Sequence, residues 1–228
     1  MWPTDAPSLA AAQRQLADAT PELWSPQGSN LLVGACWVCF PRGLTGRGSA
    51  EDPAWAAAVV MSGGHIVSRR VVTGVAGAPY VPGLLALRIG PLMERAVHGM
   101  ATRPDVVLLD ATSRDHPRGA GLALQLGAVL GLPTVGITHR PLLARGEWPA
   151  DRRGATSPLR LGDRVVGCWM RTQPGVRPLA VHPGWQVDLA TAVELVASTS
   201  VRWRTPEPLR RARHDARRAR HTAGDHGA

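Results

Sequence analysis

The chain has 228 residues, 44% of them hydrophobic, and this length and composition fit one domain with a substantial core. No apolar run is long enough to span a membrane, and the first residues lack the basic start and apolar stretch of a secretory signal. Cys36 and Cys39 form a C-x-x-C inside an apolar run rather than at a helix start, so a thioredoxin-type site is not expected. We therefore expect a reduced cytoplasmic protein, monomeric by default, with no membrane partner.

The net charge is +9, and all 26 Lys-or-Arg positions are arginine because the chain contains no lysine. With its abundant Ala, Gly and Pro, the composition is typical of a GC-rich genome, so the charge alone does not indicate nucleic-acid binding. Residues 201–228 hold eight arginines and three acidic residues. A solvated, partly disordered extension is the first interpretation of this segment, and an extension that contacts phosphates is the alternative. We divide the chain into a single domain at 1–205 and an Arg-rich helix and tail at 206–228.

The first half of the chain predicts a helix, an antiparallel meander and a second helix. Residues 7–19 suit a short amphipathic helix with a Pro-Ser start. Three strand-like runs follow at 31–40, 54–61 and 65–73, and the Ser-Gly-Gly between the last two predicts a hairpin turn. A helical pattern over 84–100 completes this half.

The second half predicts a βαβ unit followed by further strands and helices. The unit consists of a strand at 106–110, a helix at 119–130 and a strand at 133–137. Residues 140–160 are rich in Pro, Gly and Arg and predict a loop. The remaining predicted elements are strands at 164–172 and 179–181, a helix that starts after the N-cap Asp188, and an Arg-rich helix at 207–221. A meander followed by a βαβ unit indicates an α/β fold with a mixed β-sheet flanked by helices.

A carboxylate closes the buried strand of the βαβ unit. Asp110 follows four apolar residues and opens into the polar loop 111–119. Open α/β folds place ligand-binding and catalytic residues at such strand ends. Metal-dependent phosphodiester hydrolysis needs two or three carboxylates that converge on one point, and only one is evident here.

Four segments, in chain order, carry a resemblance to a known family. They are P-Y-V-P-G-L-L-A-L-R at 79–88, D-V-V-L-L-D at 105–110 with H-P-R at 116–118, L-P-T-V-G at 132–136, and V-H-P-G at 181–184 followed by D-L-A-T-A-V-E-L-V at 188–196. With these segments the chain resembles endonuclease V, the deaminated-base (inosine) endonuclease. The resemblance implies an RNase H-like fold and, as partner, DNA or RNA that contains deaminated bases.

The resemblance implies that the P-Y-V-P-G segment binds nucleic acid. In the family this loop is a wedge that pries the strands apart at the altered base, and Tyr80 occupies its aromatic position. An aromatic ring can stack on bases and hold an unstacked gap open. A rigid turn bounded by prolines, with a half-buried tyrosine, is the alternative. The nucleic-acid-binding residues implied in this way are Pro79, Tyr80, Val81, Pro82, Gly83, His116 and Arg118.

The resemblance also places the family's catalytic positions, most of which are changed in this chain. Cys36 stands at the aspartate of a G-x-D pattern in the first strand, and Ile89 stands at the glutamate of an F-R-E pattern. Asp110 is the retained aspartate and the one implied metal ligand. Trp185 replaces the histidine of an S-P-G-H pattern. His139 falls at a basic position that is usually lysine.

These replacements predict a protein that is weak or inactive as a metal-dependent nuclease, a pseudoenzyme. Mg²⁺ needs hard oxygen ligands in near-octahedral geometry, which one carboxylate, a thiol and an isoleucine do not provide. Glu94 falls on a later helical turn and Asp52 in a loop before another strand, so neither is expected to complete the site. Mg²⁺ or Mn²⁺ is expected as a cofactor only if nuclease activity is retained.

Two alternatives stay open. In the first, the protein still nicks DNA or RNA near inosine in DNA repair, with Asp110 and an unrecognised ligand holding the metal. In the second, the scaffold serves protein interaction or other chemistry. For the chemistry, Cys36, Asp110, His116 and His139 would approach one pocket as a nucleophile with its base and orienting group, or as ligands of a softer metal. Plain core packing is the ordinary role of a cysteine in an apolar strand.

Overall fold

The structure is a computed structural model that describes residues 2–28 and 30–224. The helices are α1 (Ala6–Asp18), α2 (Leu85–His98), α3 (Leu122–Leu130), α4 (Leu189–Thr199) and α5 (Glu207–Gly224). The strands are β1 (Val33–Cys39), β2 (Pro53–Ser62), β3 (His65–Val75), β4 (Val106–Leu109), β5 (Thr134–Thr138), β6 (Thr156–Leu161), β7 (Arg164–Met170) and β8 (Leu179–Pro183). Within these residues no helix is both long and apolar enough to cross a membrane.

The strands form one mixed sheet in the order β3-β2-β1-β4-β5-β8-β7-β6. β1, β4 and β5 run parallel in the centre, and the neighbouring pairs on either side are antiparallel. The predicted meander and βαβ unit are both present, which confirms the α/β fold class with a mixed sheet. Because β1, β4 and β5 are parallel, the residues that follow their carboxyl ends lie at the same edge of the sheet.

The two faces of the sheet are covered by different helices. α1, α2 and α3 cover one face, which buries Cys36 and Leu109. α4 and α5 cover the other face, which buries Ala35 and Leu108. Successive side chains of a strand point to opposite faces, so the register of β1 against β4 decides which side chain lies next to Asp110.

The Arg-rich C-terminal segment forms a helix that packs on the sheet. Leu209, Ala212 and Ala216 of α5 are buried against β1 and β2, and the Cys39 Sγ lies 3.3 Å from the carbonyl oxygen of Ala216. These apolar residues recur every three to four positions and therefore share one helical face. The interpretation of the segment as a solvated extension is wrong for residues 207–224.

One strand was not predicted, and one helix begins three residues later than predicted. The segment 140–160, predicted as a loop, leads into β6, which pairs with β7 at the edge of the sheet. β6 contains Pro158 and mostly exposed or half-buried side chains, so it lacks the apolar alternation that marks a strand in sequence. α3 begins at Leu122 rather than at residue 119, because Gly119 has a φ of 70°, a left-handed conformation that a right-handed helix excludes.

Candidate functional site

Asp110 lies at the carboxyl end of β4, next to an indole of β1. In the parallel β1–β4 pair Cys36 is opposite Leu109, so Trp37 is the β1 residue beside Asp110. The Trp37 Nε1–H donates a long hydrogen bond of 3.4 Å to an Asp110 carboxylate oxygen. Asp110 itself is exposed. We call this edge of the sheet the Asp110 cleft.

Cys36 points away from the Asp110 cleft. Its side chain is fully buried on the α2 face, with Sγ 3.9 Å from the carbonyl oxygen of Met93. Burial raises the pKa of the Cys36 thiol to about 12. A thiol with that pKa has essentially no thiolate at neutral pH and is a poor nucleophile or metal ligand. The prediction that Cys36 lies beside Asp110, in one pocket with His116 and His139, is therefore wrong.

Ile89 and the two substitute carboxylates also lie elsewhere. Ile89, on α2, packs in the same core cluster as Cys36. Glu94, later on α2, accepts a hydrogen bond of 2.7 Å from the Trp2 Nε1. Asp52 pairs with the buried guanidinium of Arg88 at 2.8 Å. As expected from the sequence, neither carboxylate joins Asp110.

Trp185 lies at the opposite end of β5 from the Asp110 cleft. Its backbone N–H donates to the Thr134 Oγ1 at 2.9 Å, and Thr134 is the first residue of β5. Thr138, the last residue of the same strand, lines the cleft. With a rise of about 3.3 Å per residue, roughly 13 Å of strand separates the two ends. The assignment of Trp185 to the Asp110 site is wrong.

His139 is brought together with Asp110. It follows β5 at the rim of the cleft, where burial first and repulsion by Arg204 second lower its pKa, against an opposing effect of Asp110. The imidazole is therefore neutral at neutral pH. The cleft has a volume of only about 20 Å³, which is room for roughly one water molecule. Its lining includes Trp37, Asp110, Thr138, His139, Arg210 and Arg213.

Arginines of α5 complete the cleft, and the sequence reasoning missed them. The guanidinium carbons of Arg213 and Arg217 lie 5.2 and 5.4 Å from the ring centroid of Trp37. Arg210 also lines the cleft but is paired with Glu207 at 2.5 Å. These residues were missed because the segment was treated as an extension of the domain. The available signal was its apolar spacing, which predicts one buried helical face with arginines beside it.

The residues of the cleft do not fit the divalent cation that the resemblance implies. One carboxylate, Asp110, faces an indole and a guanidinium, whereas Mg²⁺ and Mn²⁺ require several hard oxygen ligands. The guanidinium of Arg213 also repels a cation. In the part of the chain that the structure describes, no three His, Cys, Asp or Glu side chains cluster as metal ligands.

The P-Y-V-P-G segment forms a turn that presents Tyr80 to solvent. We call residues 79–83 the wedge turn. Tyr80 is 44% exposed, and its backbone N–H donates to the carbonyl oxygen of Arg47 at 2.8 Å. Gly83 has a φ of 78°, a left-handed conformation that strains any residue with a Cβ. The backbone of the turn is thus fixed while the phenol ring remains accessible.

Three side chains hold the wedge turn from inside. The carbonyl oxygen of Gly83 lies within hydrogen-bond distance of Gln13 Nε2 (3.1 Å), His116 Nε2 (3.1 Å) and Arg118 Nη2 (2.7 Å). His116 is buried, and burial lowers its pKa. Arg118 is half-buried, and its Nε donates to the Gln13 Oε1 at 2.5 Å. Both His116 and Arg118 thus bond to the turn itself, and their contact with nucleic acid stays a prediction.

A buried arginine supports the residue before the wedge turn. Arg88 donates to the carbonyl oxygens of Ala78 (2.6 Å) and Ser49 (3.0 Å). It also donates to the carboxylate of Asp52 (2.8 Å), and its guanidinium lies 4.1 Å from the ring centroid of Phe40. The hydrogen bond from Arg88, followed by that from the Ser49 N–H, lowers the pKa of the Asp52 carboxyl. Asp52 is therefore a structural partner of Arg88 and not a ligand at the cleft.

Comparison with known proteins identifies the family. The profile of the family described as endonuclease V matches residues 42–214, more than half of the chain. The chain belongs to the endonuclease V family. The endonuclease V of Roseiflexus castenholzii is 37% identical to it over 171 residues, which cover 72% of this chain and 75% of that protein.

Solved structures of endonuclease V share the fold. The enzyme from Streptomyces avermitilis superimposes with a TM-score of 0.87 at 33% identity, covering 98% of this chain and 96% of that chain. Endonuclease V from Ciona intestinalis gives a TM-score of 0.76 at 20% identity, with 93% and 96% covered, and this likeness concerns the fold alone. The Ciona protein is in complex with a 24mer DNA that contains an inosine followed by a ribo-adenosine.

Proposed function

We propose that this endonuclease V family member binds DNA or RNA with deaminated bases and is weak or inactive as a metal-dependent nuclease. The observation that carries the proposal is the Asp110 cleft, where a single carboxylate faces the indole of Trp37 and the guanidinium of Arg213. Metal-assisted displacement at phosphorus relies on cations that stabilise the attacking and leaving oxygens. A cleft with one carboxylate does not supply the ligands for them.

The binding half of the proposal is supported by family membership and by the wedge turn. The turn is held by the donors on the Gly83 carbonyl, so little conformational entropy is lost when nucleic acid binds. Tyr80 is the accessible aromatic ring of the turn and is the residue we assign to stacking on an unstacked base. DNA with inosine, the partner in the Ciona complex, is the first ligand to test.

The second candidate is an active nuclease that nicks DNA or RNA near inosine, with Mg²⁺ or Mn²⁺ as cofactor. The retained Asp110, exposed at a strand end in the family's fold, is the observation that favours it. In this case Asp110 would be one ligand, and a residue that the cleft does not now present would have to supply another.

A nicking assay separates the two candidates. Inosine-containing single- and double-stranded DNA and RNA are incubated with the protein and Mg²⁺ or Mn²⁺, and binding of the same substrates is measured in parallel. We expect binding that weakens with salt, without appreciable cleavage. Robust cleavage that is abolished by Asp110→Ala would establish the nuclease and overturn the first candidate.

A further inference from the structure

Two arginines of α5 lie on the indole of Trp37 without a carboxylate partner. The guanidinium carbons of Arg213 and Arg217 are 5.2 and 5.4 Å from the ring centroid. Neither side chain forms an ion pair with any of the residues that the structure describes. The Arg213 Nε is buried and has no hydrogen-bond acceptor within the described part of the chain. A buried N–H donor of a charged group is costly to leave without an acceptor, and the oxygens of an anion would supply one.

The positive charge at this position is not neutralised within α5. Burial, followed by repulsion from Arg213 and Arg220, lowers the pKa of the Arg217 guanidinium, which nevertheless stays charged at any ordinary pH. The acidic residues of the helix are engaged elsewhere. Glu207 pairs with the two arginines that follow it on the helix, and Asp215 lies 3.1 Å from His214 on the neighbouring face.

We propose that Arg213 and Arg217, both beside the ring of Trp37, form a site that binds a phosphate group of nucleic acid directly, without a metal ion. A guanidinium presents a fork of N–H donors that matches two phosphate oxygens. The electron-rich face of the indole attracts both guanidinium groups and so holds them near each other before the anion arrives. The site rests on the proposed nucleic-acid binding and specifies where the backbone would be held.

The site inverts the role that Asp110 has in a metal-dependent enzyme. In a metal-bridged complex the carboxylate attracts the phosphate through the cation. In this cleft it faces the same space as Arg213 without a cation and repels the phosphate. Asp110→Asn is therefore expected to tighten binding of an oligonucleotide, both in EDTA and in Mg²⁺ buffer. If Mg²⁺ instead tightens binding by the unmodified protein and Asp110→Asn binds more weakly in Mg²⁺ buffer, Asp110 acts through a cation and the site is overturned.

The direct test compares the double variant R213Q/R217Q with R218Q, which removes an exposed arginine of the same helix. Binding of a fluorescein-labelled single-stranded DNA with one deoxyinosine is followed by fluorescence anisotropy in the presence of EDTA. We expect the double variant to bind about tenfold more weakly and to lower the salt slope of log K by roughly 0.7 for each lost phosphate contact. R218Q is expected to bind like the unmodified protein. Circular dichroism melts confirm that all three proteins are folded.

A second arm uses pyrophosphate and distinguishes a free phosphate from a phosphate in a nucleic-acid chain. Thermal stabilisation by pyrophosphate that R213Q/R217Q loses and R218Q keeps would show that the site accepts either source. A binding defect towards DNA without any effect of pyrophosphate would show that it requires the polymer. Both results support the site.

Two outcomes would count against the inference, and they differ. If the unmodified protein binds DNA in EDTA and R213Q/R217Q binds as tightly, the anion site is wrong while the proposed function stands. If the unmodified protein binds neither DNA nor RNA, the proposed function fails, and the assignment of this site to nucleic acid fails with it.

Discussion

The wedge turn and the Asp110 cleft differ in how firmly each is tied to the core. Behind the turn, buried or half-buried side chains of α1, α2 and the loop after β4 bond to the carbonyl oxygens of Ala78 and Gly83. In the cleft, the remaining carboxylate is exposed and one guanidinium nitrogen is unpartnered. Residues of the turn's support cannot change without a loss of stability, whereas residues at exposed strand ends can. We therefore expect the support of the wedge turn to tolerate fewer substitutions than the Asp110 cleft.

The prediction with the largest expected effect concerns which β1 residue, Trp37 or Cys36, faces the cleft. Trp37→Asp places a second carboxylate beside Asp110 and is expected to raise the affinity for Mn²⁺, measured by calorimetry. Cys36→Asp buries a carboxylate in the apolar face against α2 and should lower the free energy of unfolding by about 4 kcal/mol or more. It should give no gain in Mn²⁺ affinity. A gain with Cys36→Asp and none with Trp37→Asp would mean that the cleft is built on the other face.

The second prediction concerns the hydrogen bonds that join the wedge turn to the core. Arg88→Met removes three hydrogen bonds and leaves the Asp52 carboxylate without its partner. We expect a loss of about 3 kcal/mol in the free energy of unfolding, measured with urea, together with weaker oligonucleotide binding. Arg95→Met, an exposed position on the same helix, is the matched control and should change neither quantity. If Arg88→Met and Arg95→Met were equally stable, the wedge turn would be no more firmly held by the core than the cleft is.

A smaller effect concerns acid stability near the cleft. His182 is fully buried beside Thr138, and its pKa is lowered to about 4, chiefly by burial and against an opposing effect of Asp115. An unfolded histidine titrates near 6.5, so between these pH values the unfolded state binds more protons and stability falls as the pH falls. From pH 7 to pH 5 we expect a loss on the order of 2 kcal/mol in urea unfolding.

His182→Gln is the control for this titration and should flatten the pH dependence. His116, whose pKa burial also lowers, contributes in the same direction from the wedge turn. An unchanged slope in the His182→Gln protein would assign the acid sensitivity to the turn instead of the cleft.

The smallest effect tests the wedge turn as a binding element. Tyr80→Ala should weaken binding of inosine-containing single-stranded DNA by about 1–2 kcal/mol, because one base loses its stacking partner. Tyr80→Phe keeps the ring and should bind like the unmodified protein. Since the ring is largely outside the core, both variants should unfold at the same urea concentration. Equal binding by both variants would leave the turn with a structural role alone.

The sequence by itself determined the order of the elements, the family and the local turn chemistry. The meander, the βαβ unit and the helix after Asp188 follow from apolar periodicity and capping, which are local properties. The P-Y-V-P-G pattern determined the wedge turn, since Gly83 tolerates the left-handed conformation there. The edge strand β6 was not predicted, because its exposed and half-buried residues do not alternate strictly between apolar and polar side chains.

Only the tertiary structure decided which side chains meet at Asp110. A shift of one residue in strand register moves every side chain to the other face, so pairing of β1 with β4 selected Trp37 and put Cys36 in the core. The antiparallel direction of β8 carried Trp185 to the far edge of the sheet. The packing of α5 on β1 and β2 brought Arg213 into the cleft from more than 100 residues away in sequence. These are long-range contacts: the apolar spacing of α5 predicts that the helix has a buried face, but no local pattern says which strands that face packs against.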